Sequence, residues 1–215
     1  LVGDFLFSRA FELMVADGSL EVLRILSRAS SVIAEGEVHQ LVTANDTDTT
    51  EQDYLEVIEA KTAKLFAAAT EIGAVVSDRP TEERLALESY GHNIGMAFQL
   101  IDDVLDYSAR QATLGKTVGD DFRDGKITLP VVLAFQAGDE EACGFWRRTL
   151  EDLEQKKGDL KRAGQMLEST GALQATLERA RHYGRLAADA LSIFPESEHK
   201  LALSEAADFA VNRSH

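Results

Sequence analysis

AFQLIDDVLDYSARQATLGKTVGDDFRDGKITLP, residues 97–130, opens as apolar helical sequence studded with aspartate and ends in a glycine-punctuated run that carries lysine. Residues three and four apart share a helix face. Gln99, Asp102, Asp103 and Asp106 therefore form one polar stripe about two turns long, while Phe98, Leu100, Ile101 and Leu105 point elsewhere. Like charges at this spacing weaken a helix unless a cation lies between them, and the apolar arc needs partners. Between Asp102 and Lys126 stand six Asp and four Lys or Arg, with Gly115, Gly119 and Gly125 dividing the second half. Carboxylates at this density suit Mg2+, which takes hard oxygen ligands at about 2.0–2.1 Å and completes its octahedron with water and phosphate oxygens. Glycine backbone and mobile lysine charge suit the phosphate.

Working outward, the composition favours an all-α fold. The 215 residues are 45% hydrophobic with only three Pro, and Ala, Leu and Glu recur at spacings of three and four. The length suits one domain. Apolar spacing predicts a first helix ending near Val15, then a second over 19–43 with Gly18 as the stop and Ser19 as the cap. Thr50 and Asp53 have capping-box spacing, and a third helix is expected over 50–76. A fourth runs over 81–107, followed by a loop over 115–125 and a helix from about Ile127 with Pro130 in its first turn. Beyond Gly138 the expected helices are shorter and more charged, a supporting bundle. Phe5, Phe7, Phe11 and Phe98 read as core or cavity lining.

The net charge of −15 argues against a general affinity for nucleic acid or anionic membrane, so any phosphate bound needs local cations. No run reaches the roughly 20 apolar residues of a transmembrane segment, no signal peptide is visible, and the single Cys143 fits a reducing compartment. The cytoplasm is the expected location. GKT at 115–117 is not a nucleotide-binding phosphate loop: that motif needs Gly where Arg110 stands, and a strand where a helix precedes. EGEVHQ at 35–40 sets Glu35 and His39 at i, i+4, without a second His or Cys at ligand spacing for zinc. KTAK places Lys61, Thr62 and Lys64 inside the third helix.

GDFL at Gly3, EGE at Glu35, KT at Lys61, FQLIDDVLDY from Phe98 and GKTVGDDFRDGKITLP from Gly115 follow one another on successive helices. In that order they resemble the trans-type polyprenyl diphosphate synthases, most of all the long-chain, octaprenyl-type bacterial members. The resemblance spans essentially the whole chain, more strongly up to Pro130. It implies a single-domain helical bundle around a central cavity, a homodimer, and a Mg2+-dependent condensation of an allylic diphosphate with successive isopentenyl diphosphate units, with octaprenyl product for quinone side chains. It also implies residue roles. Asp102, Asp103 and Asp106 match the second aspartate-rich motif, and Asp121 a loop aspartate that helps hold the metals. Lys61, Thr62, Gln99, Lys116 and Lys126 match positions at the allylic diphosphate, the first four of them catalytic. Asp120 falls at a variable position.

The family's first aspartate-rich motif normally precedes GDFL, and here only Leu1 and Val2 do. A helix that begins uncapped suggests residues of a longer protein, lacking its N-terminal helices. Two other functions fit part of the pattern: a class I terpene cyclase, against which the 116–126 loop argues, and a non-catalytic regulatory subunit of a prenyl synthase.

Overall fold

The computed structural model describes residues 1–108 and 118–213, without the side chains of Val42 and Thr43. Eleven α-helices are present among them: α1 (Val2–Asp17), α2 (Leu20–Thr43), α3 (Glu51–Ile58), α4 (Lys64–Val76), α5 (Thr81–Asp106), α6 (Asp120–Arg123), α7 (Leu129–Ala137), α8 (Glu140–Trp146), α9 (Asp159–Ser169), α10 (Ala172–Ala190) and α11 (Glu198–Asn212). No described residue is in a strand. None of the described helices is long and apolar enough to cross a membrane.

The starts follow the expected chemistry. Ser19 caps α2 by accepting from the Val22 amide, and Thr50 with Asp53 forms the reciprocal capping box of α3. Pro130 sits in the first turn of α7, where its missing N–H has no partner to lose. One expectation fails in an informative way. The third helix is interrupted by a π turn, Glu59–Ala63, closed by the Lys64 N–H reaching back five residues to the Glu59 carbonyl. The inserted residue shifts the helix register where Lys61 and Thr62 stand, and such single π turns recur at functional sites.

α5 is the axis of the fold, flanked by α4 and α10. Leu100, Ile101 and Met96 of α5 are buried with Tyr54, Ile58, Leu129 and Ala180. A second cluster around Phe122, Trp146, Leu150 and Leu167 joins α6, α7, α8 and α9. The α4–α5 seam is unusually close because Ala63 and Ala67 oppose Gly91 and Gly95. A Cβ on Gly95 would come within 2.6 Å of the Ala63 Cα. This contact draws the π turn of one helix against the polar half of the other.

α1 departs from expectation. Phe5, Phe7 and Phe11 are not core: their exposures are 66%, 56% and 37%, and Met14 is the one buried residue of the helix. An apolar helix pattern specifies that a face should be covered, and not by what.

Candidate functional site

The seam and the segment over 118–128 enclose a cavity of about 140 Å3. Its polar wall brings together Lys61, Thr62, Gln99, Asp103, Asp121 and Lys126, and its apolar wall includes Val57, Ile58 and Ile127. Six of the nine expected site residues therefore line one space, although they come from three separate parts of the chain. Lys116 lies outside the described residues. Asp102 and Asp106 are near neighbours that do not line the cavity.

The aspartate stripe does not remain a single face. Asp103 points inward, 3% exposed, and accepts from the Tyr54 hydroxyl and from Gln99 Nε2 (2.8 Å), while Gln99 Oε1 accepts from Thr62 (3.0 Å). Burial pushes the Asp103 carboxyl up to about 7; the two hydrogen bonds work against that rise, and Asp121 and Asp102 add to it. Tyr54 is likewise held well above its ordinary value by burial and by the Asp103 charge. Nothing in the pattern of the third helix marked Tyr54 as a site residue; a lone aromatic reads as core, and only its hydroxyl partner shows otherwise.

Asp106 faces the start of α6. Its two carboxylate oxygens accept from the Asp120 and Asp121 amides (3.2 and 3.1 Å), which fixes α6 under the end of α5. Burial, then the Asp121 charge, raises its pKa, while those amide bonds lower it. Asp102 turns the third way, towards α11, where Arg213 Nη2 donates to its Oδ1 (3.2 Å) and to the Phe98 carbonyl (2.7 Å). The guanidinium lies 3.8 Å above the Phe98 ring.

The segment after α6 is held by a strut. Asn45 Nδ2 donates to the Gly125 and Leu150 carbonyls at 3.2 and 2.7 Å. Gly125 has φ +69°, and a Cβ there would stand 2.2 Å from Asn45 Nδ2, so glycine is required on both counts. Next to it Lys126 Nζ pairs with Asp121 Oδ1 at 2.7 Å. Burial works against the charge of Lys126, but Asp121 and Asp124 more than offset it and its pKa rises. Asp120 pairs with Arg123 (2.6 Å), and Lys64 reaches Glu88 (3.7 Å) rather than the cavity.

Opposed charge in a partly apolar hollow can take a polyanion: ammonium groups and hydroxyls meet the anion, and buried carboxylates meet a cation carried with it. Thr49 adds a buried hydroxyl on the wall that lacks a partner among the described residues. Among the described residues no three carboxylates, histidines or cysteines form a ready-made metal cage. At about pH 9, where the Asp103 carboxyl is charged, Tyr54→Phe is expected to cost about 2 kcal/mol of folding stability, the worth of a hydrogen bond to a charged, buried acceptor. Urea unfolding of the two proteins measures it, and equal midpoints would show that Asp103 needs no partner there.

The same architecture occurs in known proteins. The chain is 41% identical, over its whole length, to the octaprenyl diphosphate synthase of Haemophilus influenzae and 43% identical, over 99% of its length, to that of Escherichia coli. It covers 65% and 66% of those two proteins, just under two thirds. A polyprenyl synthase from Caulobacter crescentus, solved with calcium and isoprenyl diphosphate, superimposes on all of the chain with a TM-score of 0.95 at 50% identity, the chain covering 65% of it. A family model described as polyprenyl synthetase matches residues 1–167, which include every element around the cavity, and with relatives this similar from end to end the chain belongs to the polyprenyl synthetase family.

Proposed function

We propose that the chain is the larger part of a long-chain prenyltransferase, which condenses an allylic diphosphate with successive isopentenyl diphosphate units to an all-trans polyprenyl diphosphate, octaprenyl by likeness to its relatives. The observation that carries this reading is the cavity in which Lys61, Thr62, Gln99, Asp103, Asp121 and Lys126 meet. The exposed apolar α1 supports a second copy of the chain as the partner that covers it, giving a homodimer.

Mg2+ fits the donor set. Asp102, Asp103 and Asp121 offer hard oxygens, and Asp103 is buried beside two other carboxylates that raise its pKa, an arrangement a cation would relieve. The missing three-ligand cage is no obstacle, because this ion is commonly held by one or two carboxylates and by substrate phosphates. When bound, it would neutralise charge on the departing diphosphate.

The protein's own residues do the rest. Lys61 and Lys126 place positive charge where the allylic C–O bond breaks and its electron pair passes to the diphosphate, a contribution made by charge fixed in advance. Thr62 and Gln99, bonded to each other, orient that diphosphate. Val57, Ile58 and Ile127 keep water from the allylic cation until the double bond of isopentenyl diphosphate attacks it. The new C–C bond leaves a cation that loses one proton to the released pyrophosphate, and the product is an allylic diphosphate five carbons longer.

The test is incubation of the complete gene product with farnesyl diphosphate, isopentenyl diphosphate and Mg2+. Consumption of isopentenyl diphosphate with products lengthened in five-carbon steps is expected. Cyclic hydrocarbon from the allylic diphosphate alone would establish the terpene cyclase instead, and no product would leave a silent subunit.

A further inference from the structure

The hexapeptide EGEVHQ contributes through members other than the pair that its spacing first brings forward. Gly36 lies directly on the π turn: a Cβ there would come within 2.8 Å of the Ala60 Cβ and 3.2 Å of the Lys61 backbone nitrogen. That close approach of α2 sets two side chains one turn apart against Lys61. Lys61 Nζ donates to Gln40 Oε1 at 2.7 Å and lies 3.1 Å from a Glu37 carboxylate oxygen. Gln40 is part of the cavity wall. Glu37 is not, and its side chain is 52% exposed.

We propose that Gln40 is a positioning residue for Lys61, and that Glu37 is the anion an arriving diphosphate displaces from it. Lysine is a point charge on a flexible four-carbon stem, and an unrestrained ammonium would spend much of its time away from the cavity. A neutral amide oxygen can hold it there without cancelling the charge that a diphosphate needs. The Glu37 pair is half-exposed and therefore weak, easily given up to a multiply charged diphosphate. Gly36 makes the arrangement possible by letting α2 approach. This rests on the proposed placement of the allylic diphosphate against Lys61.

The experiment is steady-state kinetics on the complete gene product with farnesyl and isopentenyl diphosphates. Gln40→Ala and the near-isosteric Gln40→Met are expected to raise the KM for the allylic substrate by about 3- to 10-fold, the scale on which ordering one flexible side chain in advance is felt. Once bound, the diphosphate itself holds the Lys61 ammonium, so turnover number should stay within about twofold and the KM for isopentenyl diphosphate should not move, a split that general damage to the fold would not produce. In a Lys61→Ala background Gln40→Ala should add nothing, because a residue that acts through Lys61 has nothing left to position. Glu37→Gln should lower the allylic KM. Unchanged KM in both Gln40 variants, additive effects of Gln40→Ala and Lys61→Ala, or a raised KM in Glu37→Gln would overturn the proposal. An allylic KM left unchanged by Lys61→Ala alone would overturn the placement of Lys61 as well.

Discussion

Asp102→Asn in the complete gene product should lower turnover at saturating Mg2+ by about 10²–10³, while leaving the metal-free protein as stable as before. The first half follows from the proposed role. A charge that holds a cation against the leaving diphosphate acts where negative charge develops, and removing one such fixed contact costs on that scale. The second half follows from where Asp102 sits. Its side chain is 40% exposed and its ion pair with Arg213 is long, at 3.2 Å, so losing the charge there costs between nothing and about 1 kcal/mol. Against that, Asp102 adds to the charge crowding Asp103, and relief of like-charge repulsion on a helix returns a few tenths of a kcal/mol. Asparagine also keeps an oxygen for Arg213. A variant that melts with the parent and has lost its turnover would place Asp102 in the reaction. Near-parental turnover would reduce it to an anchor for α11, and Arg213→Gln should then reproduce whatever small effect remains.

This test matters because the three aspartates were alike in the sequence and are unlike in the structure. Period alone places Asp102, Asp103 and Asp106 within one arc of α5. A side of a helix is a broad arc, however, and what each residue meets depends on the elements packed there: Tyr54 of α3 for Asp103, the first amides of α6 for Asp106, Arg213 for Asp102. Local signals were legible where the chemistry is local. Ser19, the Thr50 and Asp53 pair, and Pro130 announced the helix starts because a cap is built from residues within one turn. The π turn at Glu59–Ala63 had no such announcement, since it is a change in hydrogen-bond register and Ala, Lys and Thr serve either register. The exposure of Phe5 and Phe7 was equally hidden, because an apolar stripe reads the same whichever chain is to cover it. Among the cavity residues, charge and spacing brought forward Gln99 and Asp103, while the family resemblance added Lys61, Thr62, Asp121 and Lys126. Tyr54 and Gln40 were missed, an aromatic and an amide whose importance lies in single long-range hydrogen bonds.

Gly91→Ala should destabilise the protein by about 2 kcal/mol or more, although alanine is by far the better helix former. In a helix interior the exchange alone would gain about 1 kcal/mol. Here the new methyl would stand 2.1 Å from Thr70 Oγ1, 2.4 Å from the Phe66 carbonyl oxygen and 2.8 Å from the Ala67 Cα. The threonine could rotate, at the expense of its 2.6 Å hydrogen bond to the Leu87 carbonyl. The other two obstacles are backbone, so α4 and α5 must move apart. Overpacking of this kind costs about 3 kcal/mol or more, which outweighs the gain in helix propensity. For a chain of this size the net loss corresponds to a fall in melting temperature of roughly 4–8 °C. Gly73 of α4 supplies the control, since a Cβ there meets nothing within 4 Å. Gly73→Ala should therefore stabilise by about 0.5–1 kcal/mol, the opposite sign for the same chemical change one helix away. Thermal melting of the three proteins decides the matter. If Gly91→Ala melts with or above its parent, the seam is loose, and it cannot be what holds Lys61 and Thr62 of the π turn against Gln99 and Asp103 of α5.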